Sequence, residues 1–362
     1  MGEPLKVGVV GLGAISRAYL STFATMPQVE VTALADLDHA RAAAAAAEVP
    51  GARAVQVAEL MAAPDVDLVL NLTIPAAHAE VAGAALAAGK HVYGEKPLAL
   101  DVAQAGKVLA DAGGLRVGCA PDTVLGTGTQ TARQAITGGL IGTPVAANAV
   151  FVSPGHESWH PDPEFYYRPG GGPLLDMGPY YLSALVHLLG PVTRVVGAAS
   201  RSRTTRTIGS GPRAGTVFDV EVDTHVAGIL VHASGALTTL VTSFDVVAST
   251  QPRIEVHGSE GSLSVPDPNG FDGDVRMRRF GDDEWTTLPP SAGYTGAARG
   301  AGVADLAVNL AAGRPHRASA DLALHVLDVM QTVLAAGRSR TGLDVGTTCE
   351  VPEPVPLTRL QQ

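Results

Sequence analysis

The feature that most constrains this chain is an apolar run over 5–10 that breaks into Gly11-Leu12-Gly13-Ala14-Ile15-Ser16 and passes at once into a helical pattern over 17–25. A strand, a glycine turn and a helix in that order open a parallel βαβ unit. Gly11 permits the tight turn, and Gly13 lets the backbone amides around Ala14 and Ile15 approach a pyrophosphate at the helix N-terminus. Ser16 stands where a third glycine would serve close helix–strand packing, and it is small enough to replace it. The alternation continues, with strands expected at 29–35, 66–72, 91–94 and 115–118 and helices at 38–48, 76–88 and 101–112. Such a series predicts an α/β fold with a doubly wound parallel sheet buried on both faces.

Asp36 ends the second strand, about 20 residues beyond the turn, where a carboxylate accepts hydrogen bonds from an adenine ribose. It would repel a 2′-phosphate unless Arg41 compensates, so NAD is favoured as cofactor and NADP stays open.

The pattern changes after residue 121. A helix over 127–137 leads into longer, alternating strands at 144–152, 192–200, 221–231, 236–244, 253–257 and 261–265. Helices are expected only at 179–189, 302–312 and 320–336. This reads as an α+β domain with a large, mostly antiparallel open sheet carrying helices on one face. With 362 residues, more than one core usually supports, two domains are expected, 1–122 for the nucleotide and 123–362 for the substrate. Stretches 203–215 and 266–273 are rich in turn formers.

A net charge of −10 without any basic block argues against nucleic acid or anionic membrane as the main partner. Arg201, Arg203 and Arg206 alternate with Ser and Thr and read as a solvated loop. Cys119 and Cys349 lie too far apart for a disulfide framework, which fits a reducing compartment. The start shows no signal-peptide pattern, and no window of about 20 apolar residues runs free of glycine and charge. A cytoplasmic protein is expected.

Two further segments carry chemistry. Gly89-Lys90-His91-Val92-Tyr93-Gly94-Glu95-Lys96-Pro97 ends a parallel strand, where ligands of doubly wound sheets bind. Gly170-Gly171-Gly172-Pro173-Leu174-Leu175-Asp176-Met177-Gly178-Pro179-Tyr180 leads into a helix of the second domain. Asp176 and Tyr180, at i and i+4, project from one helix face, and Pro179 suits that helix only in its first turn. Upstream, His156, Glu157, Trp159, His160, Phe165, Tyr166, Tyr167 and Arg168 concentrate aromatic and polar groups in a chain that is only 4% aromatic. An aromatic wall with hydrogen-bonding groups suits a polyol ring, which places Trp159 and His160 beside a substrate, with Asp122 as a further cleft residue. His156 and His160 lack further ligands nearby in sequence, so no metal is expected. Tyr181 and His187 read as packing groups.

With these motifs in order, nearly the whole chain resembles the Gfo/Idh/MocA oxidoreductase family, the relatives of glucose–fructose oxidoreductase and inositol dehydrogenase. The match runs through the glycine turn, Asp36, Thr73-Ile74-Pro75 with His78, Glu95-Lys96-Pro97 and the glycine-rich turn before Asp176. The resemblance implies hydride transfer between NAD(P) and a secondary alcohol of a sugar, inositol or related polyol. It implies a substrate cleft between the domains, and a homodimer or homotetramer through the C-terminal sheet. Lys96 would hydrogen-bond the reacting hydroxyl, and Glu95 would hold the site near the nicotinamide. Thr73, Pro75 and His78 would line the nicotinamide side, and Asp176 would bind substrate.

Many members carry a proton-transferring histidine four residues after that aspartate; here the position is Tyr180. A phenol with a pKa of about 10 is a weak base near neutrality, but a lysine ammonium beside it favours the phenolate. Lys96 and Tyr180 are therefore expected to form a coupled relay. Two other readings stay open: an NAD-dependent glycosidase acting by transient sugar oxidation, and a non-catalytic NAD(P)-binding regulator of a sugar pathway.

Overall fold

The computed structural model describes residues 3–360. The chain divides into two compact units, one of Met1–Gln130, Pro290–Leu324 and Pro352–Gln362, the other of Thr131–Pro289 and His325–Val351. The boundary expected at residue 122 lies near the first crossing, and the chain then returns twice to the first unit.

The first unit opens with β1 (Leu5–Val10), α1 (Ser16–Phe23), β2 (Val29–Ala35), α2 (His39–Glu48), β3 (Arg53–Ala54) and α3 (Val57–Ala62). It continues with β4 (Leu68–Asn71), α4 (His78–Ala87), β5 (His91–Gly94), α5 (Val102–Ala110) and β6 (Val117–Cys119). The strands form one parallel sheet in the order β3-β2-β1-β4-β5-β6. Chain direction across the sheet reverses between β1 and β4, which sets a ligand crevice at the carboxyl ends of the strands. Val7, Val9, Leu68, Val69 and Leu70 are fully buried, as a sheet covered on both faces requires. Each such side chain contributes about 1.5–3 kcal/mol. Asp38 starts α2 by accepting from the amide of Ala40 at 3.1 Å, and Asp101 starts α5 by accepting from that of Gln104 at 2.8 Å. Such caps are worth about 1 kcal/mol each. β3 and α3 are too short for a hydrophobic period to announce them.

After α6 (Thr127–Thr137) the second unit gathers β7 (Pro144–Val152), α7 (Pro173–Leu189) and β8 (Val192–Ser200), then a hairpin of β9 (Thr205–Thr207) and β10 (Val217–Asp219). β11 (His225–His232), β12 (Leu237–Ser243), β13 (Ile254–Gly258), β14 (Gly261–Val265), β15 (Val275–Arg279) and β16 (Thr286–Leu288) follow. α8 (Ala301–Ala311) belongs to the first unit; α9 (Ala320–Ser339) and β17 (Leu343–Asp344) bring the chain back to the second. The large sheet runs β16-β15-β14-β13-β7-β12-β11-β8-β17 and is antiparallel except where β12 pairs with β7. Its alternation is clear in β11, where Val226 and Leu230 are buried and Ile229 is exposed. α9 presses Val333 against Gly197 of β8 and Gly228 of β11. The opposite face leaves Val196, Ile229 and Leu237 nearly half exposed, with Ile229 and Val196 directly paired. Among the described residues α9 alone is long and apolar enough to cross a membrane, and half of its most apolar window is buried inside the protein.

Two expectations are corrected here. Arg206 is not on a solvated loop; it lies in β9 at 4% exposure. α7 begins at Pro173, so Pro179 sits inside the helix rather than in its first turn. Gly172, at φ 95°, and Pro173 make the start, the proline losing nothing there because a first-turn amide has no intrahelical partner. Pro179, by contrast, deprives the carbonyl of Leu175 of its helical donor.

Candidate active site

At the glycine turn, Gly11 has φ 93° and its Cα lies against the backbone of Leu72, so a side chain there would come within 2.7 Å of the Leu72 carbonyl. Gly13 faces open space, and Ala14 and Ile15 are exposed beside it. Ser16 is buried and donates its hydroxyl to the carbonyl of Gly13 at 2.7 Å, closing the turn onto α1. The Asp36 carboxylate accepts from the amides of Leu12 at 2.7 Å and Asp38 at 2.9 Å, and Arg41 approaches at 3.5 Å. Burial opposes its ionisation, but those amides and the guanidinium outweigh burial and hold the carboxyl below its ordinary range. An open glycine turn, a helix N-terminus and an ionised carboxylate at the next strand end fit a dinucleotide.

The next strand ends converge on a second cluster. Asn71, 1% exposed, accepts from the Thr73 hydroxyl at 2.6 Å and donates to the carbonyl of His78 at 3.0 Å. The His78 ring is almost wholly buried, with Nδ1 2.6 Å from the carbonyl of Pro97 and Nε2 3.0 Å from that of Thr73. It therefore ties the Thr73 turn to the Lys96-Pro97 corner, while Pro75 is exposed. Glu95 accepts from the Tyr19 hydroxyl at 2.7 Å and from the amide of Lys96 at 3.1 Å. The Lys96–Pro97 and Ala120–Pro121 peptide bonds are both cis. Sequence reasoning missed Asn71 and Tyr19. The signal for Asn71 was a polar residue closing the apolar Leu68-Val69-Leu70, which when buried must find partners.

Asp122, expected beside the substrate, has no exposed surface. Its Oδ2 accepts from the amides of Gly300 at 2.8 Å and Gly302 at 3.1 Å, capping α8 from 178 residues away. Burial raises its carboxyl above the usual range against the pull of Arg299 and the two amides, and the charge of Glu95 adds to the rise.

In the second unit, Asp176 lies in the first turn of α7 and Tyr180, 7% exposed, one turn later. Nε2 of His156 stands 3.1 Å from Oδ2 of Asp176. The His156 ring packs edge-on to Tyr166 at 4.1 Å and near Trp159 at 5.3 Å. Trp159 is 60% exposed and His160 lies beside it, with Phe165 and Tyr166 completing the wall. Tyr181 and His187 are buried on α7.

Beneath this wall lies the buried Arg206. Its guanidinium donates to Glu157, to Asp245 and to the carbonyls of Pro154 at 3.0 Å and Phe244 at 2.9 Å, and it stacks over the Tyr167 ring at 4.9 Å. Tyr167 donates to Glu157 and accepts from the amide of His156 at 3.1 Å. A buried guanidinium is tolerable only when paired and hydrogen-bonded in this way; Nη1 and Nη2 are bonded, and Nε has no hydrogen-bond partner among the described residues. Among the described residues no group of three or more His, Cys, Asp and Glu side chains is arranged to hold a metal ion.

Residues 5–119 match the model of an oxidoreductase family with an NAD-binding Rossmann fold, and residues 129–264 match the GFO/IDH/MocA C-terminal domain. The dTDP-3,4-didehydro-2,6-dideoxy-alpha-D-glucose 3-reductase of Streptomyces violaceoruber is 32% identical over 275 residues, 71% of this chain and 79% of that one. The myo-inositol 2-dehydrogenase of Thermotoga maritima is 28% identical over 268 residues, 72% and 74% of the two chains. The crystal structure of an NAD binding oxidoreductase from Klebsiella pneumoniae superposes with a TM-score of 0.81 at 26% identity, covering 95% of this chain and 99% of that one. The chain belongs to the Gfo/Idh/MocA oxidoreductase family, and residues 5–119 are that family's NAD-binding Rossmann fold.

Proposed function

We propose that the protein interconverts a secondary alcohol and the matching ketone on a sugar, inositol or related polyol ring. The observation that carries this reading is Asp176, a carboxylate in the first turn of α7 whose partner His156 is packed among Tyr166 and the exposed Trp159. Aromatic faces take up the C–H surface of such rings while a carboxylate accepts their hydroxyls.

NAD, when bound, supplies the hydride acceptor for oxidation and in reduced form the donor for the reverse. Gly11, Gly13, Ala14 and Ile15 would hold its pyrophosphate and Asp36 its ribose. Thr73, Pro75 and Glu95 would border the nicotinamide, with His78 fixing the Thr73 turn. Lys96 would hold the reacting oxygen, Tyr180 would take or return its proton, and Asp176, with Trp159 and His160, would bind the ring. Asp122 holds the start of α8 through the amides of Gly300 and Gly302. The protein would work in the cytoplasm as a homodimer or homotetramer built on the open sheet face around Val196, Ile229 and Leu237, whose exposure supports that reading.

The test is incubation of the purified protein with NAD or NADP and a panel of pyranoses, inositols and anhydrosugars, following absorbance of the reduced nicotinamide. Turnover of one ring alcohol is the expected result. Silence across the panel while NAD binds would overturn the reading.

A further inference from the structure

We propose that His156, from a loop outside α7, is the residue that positions Asp176 for substrate. The inference rests on the reading of Asp176 as an acceptor of substrate hydroxyls.

The two residues are 20 apart in sequence, so their 3.1 Å contact is made by the fold and not by helical spacing. Both side chains are largely enclosed, at 11% and 16% exposure. The imidazole has little freedom. Tyr166, Phe244 and Trp159 surround it with ring centroids 4.1, 4.6 and 5.3 Å away. Its backbone amide is held by the Tyr167 hydroxyl, which is bonded in turn to Glu157 and through it to Arg206.

Nδ1 of His156 is buried and has no hydrogen-bond partner among the described residues. A hydrogen on Nδ1 would be stranded, whereas one on Nε2 meets a carboxylate oxygen. The geometry therefore selects the Nε2–H tautomer, donating to Oδ2 of Asp176. A carboxylate with one oxygen held in this way has a fixed plane before substrate arrives. Because Trp159 packs on the same imidazole, one ring sets the register of both the aromatic wall and the hydroxyl acceptor.

The test compares His156→Phe with His156→Gln, whose side-chain amide can donate to Asp176 from about the same place. With NAD and myo-inositol, glucose or 1,6-anhydroglucose, His156→Phe should raise KM for the ring alcohol about 10- to 100-fold. KM for NAD and the thermal midpoint should stay near wild type, kcat should change less than KM, and His156→Gln should recover most of the loss. An unchanged KM in His156→Phe, or equal damage in both variants, overturns the proposal. Imidazole ¹⁵N spectra add a readout independent of turnover. The wild type should show the Nε2–H tautomer at His156, and Asp176→Ala should lose that preference; an Nδ1–H tautomer in the wild type overturns the proposal. If the wild type oxidises no ring alcohol, the dehydrogenase reading fails, and these spectra alone decide whether His156 holds Asp176.

Discussion

The phenol of Tyr19, wholly buried in the first helix, donates to the Glu95 carboxylate at 2.7 Å. Burial pushes this hydroxyl well above its ordinary range and the charge of Glu95 pushes it further, so it remains a donor at any working pH. The helix that follows the glycine turn and the Glu95-Lys96-Pro97 corner are thereby joined. Tyr19→Phe keeps the ring and removes the donor to Oε1 of Glu95, while Oε2 keeps the amide of Lys96. It should cost about 1.5–3 kcal/mol, seen as a lower denaturant midpoint, with a parallel fall in turnover. A variant as stable as wild type would deny the bond its role.

Lys96→Met and Tyr180→Phe should each lower turnover about 10²- to 10⁴-fold, the usual range for a lost proton-transfer group. NAD affinity, followed by fluorescence titration, should hardly change. Full activity in Tyr180→Phe would assign the proton to water acting with Lys96.

Asp36 should govern the choice between NAD and NADP. Its carboxyl is held below the ordinary range, so its charge contributes above a pH of about 4 and is lost only as pH falls through the lower folded value. Repulsion of a 2′-phosphate therefore persists across the working range. Asp36→Ser removes the charge and releases Arg41, now 3.5 Å away. The ratio of NADP to NAD dissociation constants should fall at least tenfold, an electrostatic change of about 1.4 kcal/mol. An unchanged ratio would place recognition elsewhere.

Asp122 should leave a signature in the pH dependence of stability. Burial raises its folded pKa, so the folded chain binds this proton more tightly than the unfolded one. Stability is then lost as pH rises from about 4, the unfolded value, through the raised folded value. Asp122→Asn keeps an oxygen for the amides of Gly300 and Gly302 and cannot ionise. Its thermal midpoint should gain on wild type through that window and level off above it. Parallel curves at every pH would contradict the assignment.

Ile229→Glu places a charge at the centre of the exposed sheet face, opposite Val196. If the protein assembles through that face, sedimentation velocity should show a smaller species with the secondary structure intact. An unchanged sedimentation coefficient would move the interface elsewhere.

Most of the parallel sheet was legible because β1, β2, β4 and β5 are short apolar runs and α2 and α4 are alanine-rich stretches between turns. Asp36, Lys96 and Asp176 could be singled out because each sits next to a local motif. Tyr19 had no such mark, since its partner lies 76 residues away. Arg206 looked solvated among Ser and Thr because Glu157 and Asp245, which neutralise it, are 49 and 39 residues distant. Asp122 follows the last parallel strand and so resembled a cleft residue, but α8 buries it. The aromatic wall was visible in composition, whereas the pairing of His156 with Asp176 is a product of tertiary structure.

The first unit is built from three stretches of chain, which bears on how the protein is made. Gly300 and Gly302 meet Asp122, the carbonyl of Ala318 takes the amide of Cys119, and Gln130 receives the amide of Val355. A ribosome delivers β1 to β6 first and these closing pieces only after every strand from β7 to β16. The nascent nucleotide-binding sheet therefore waits, unfinished, through most of translation. A chain released early, before about residue 290, would lack both the amides that Asp122 binds and the helix that covers it, so premature termination should yield a product for proteolysis and not a free NAD-binding fragment.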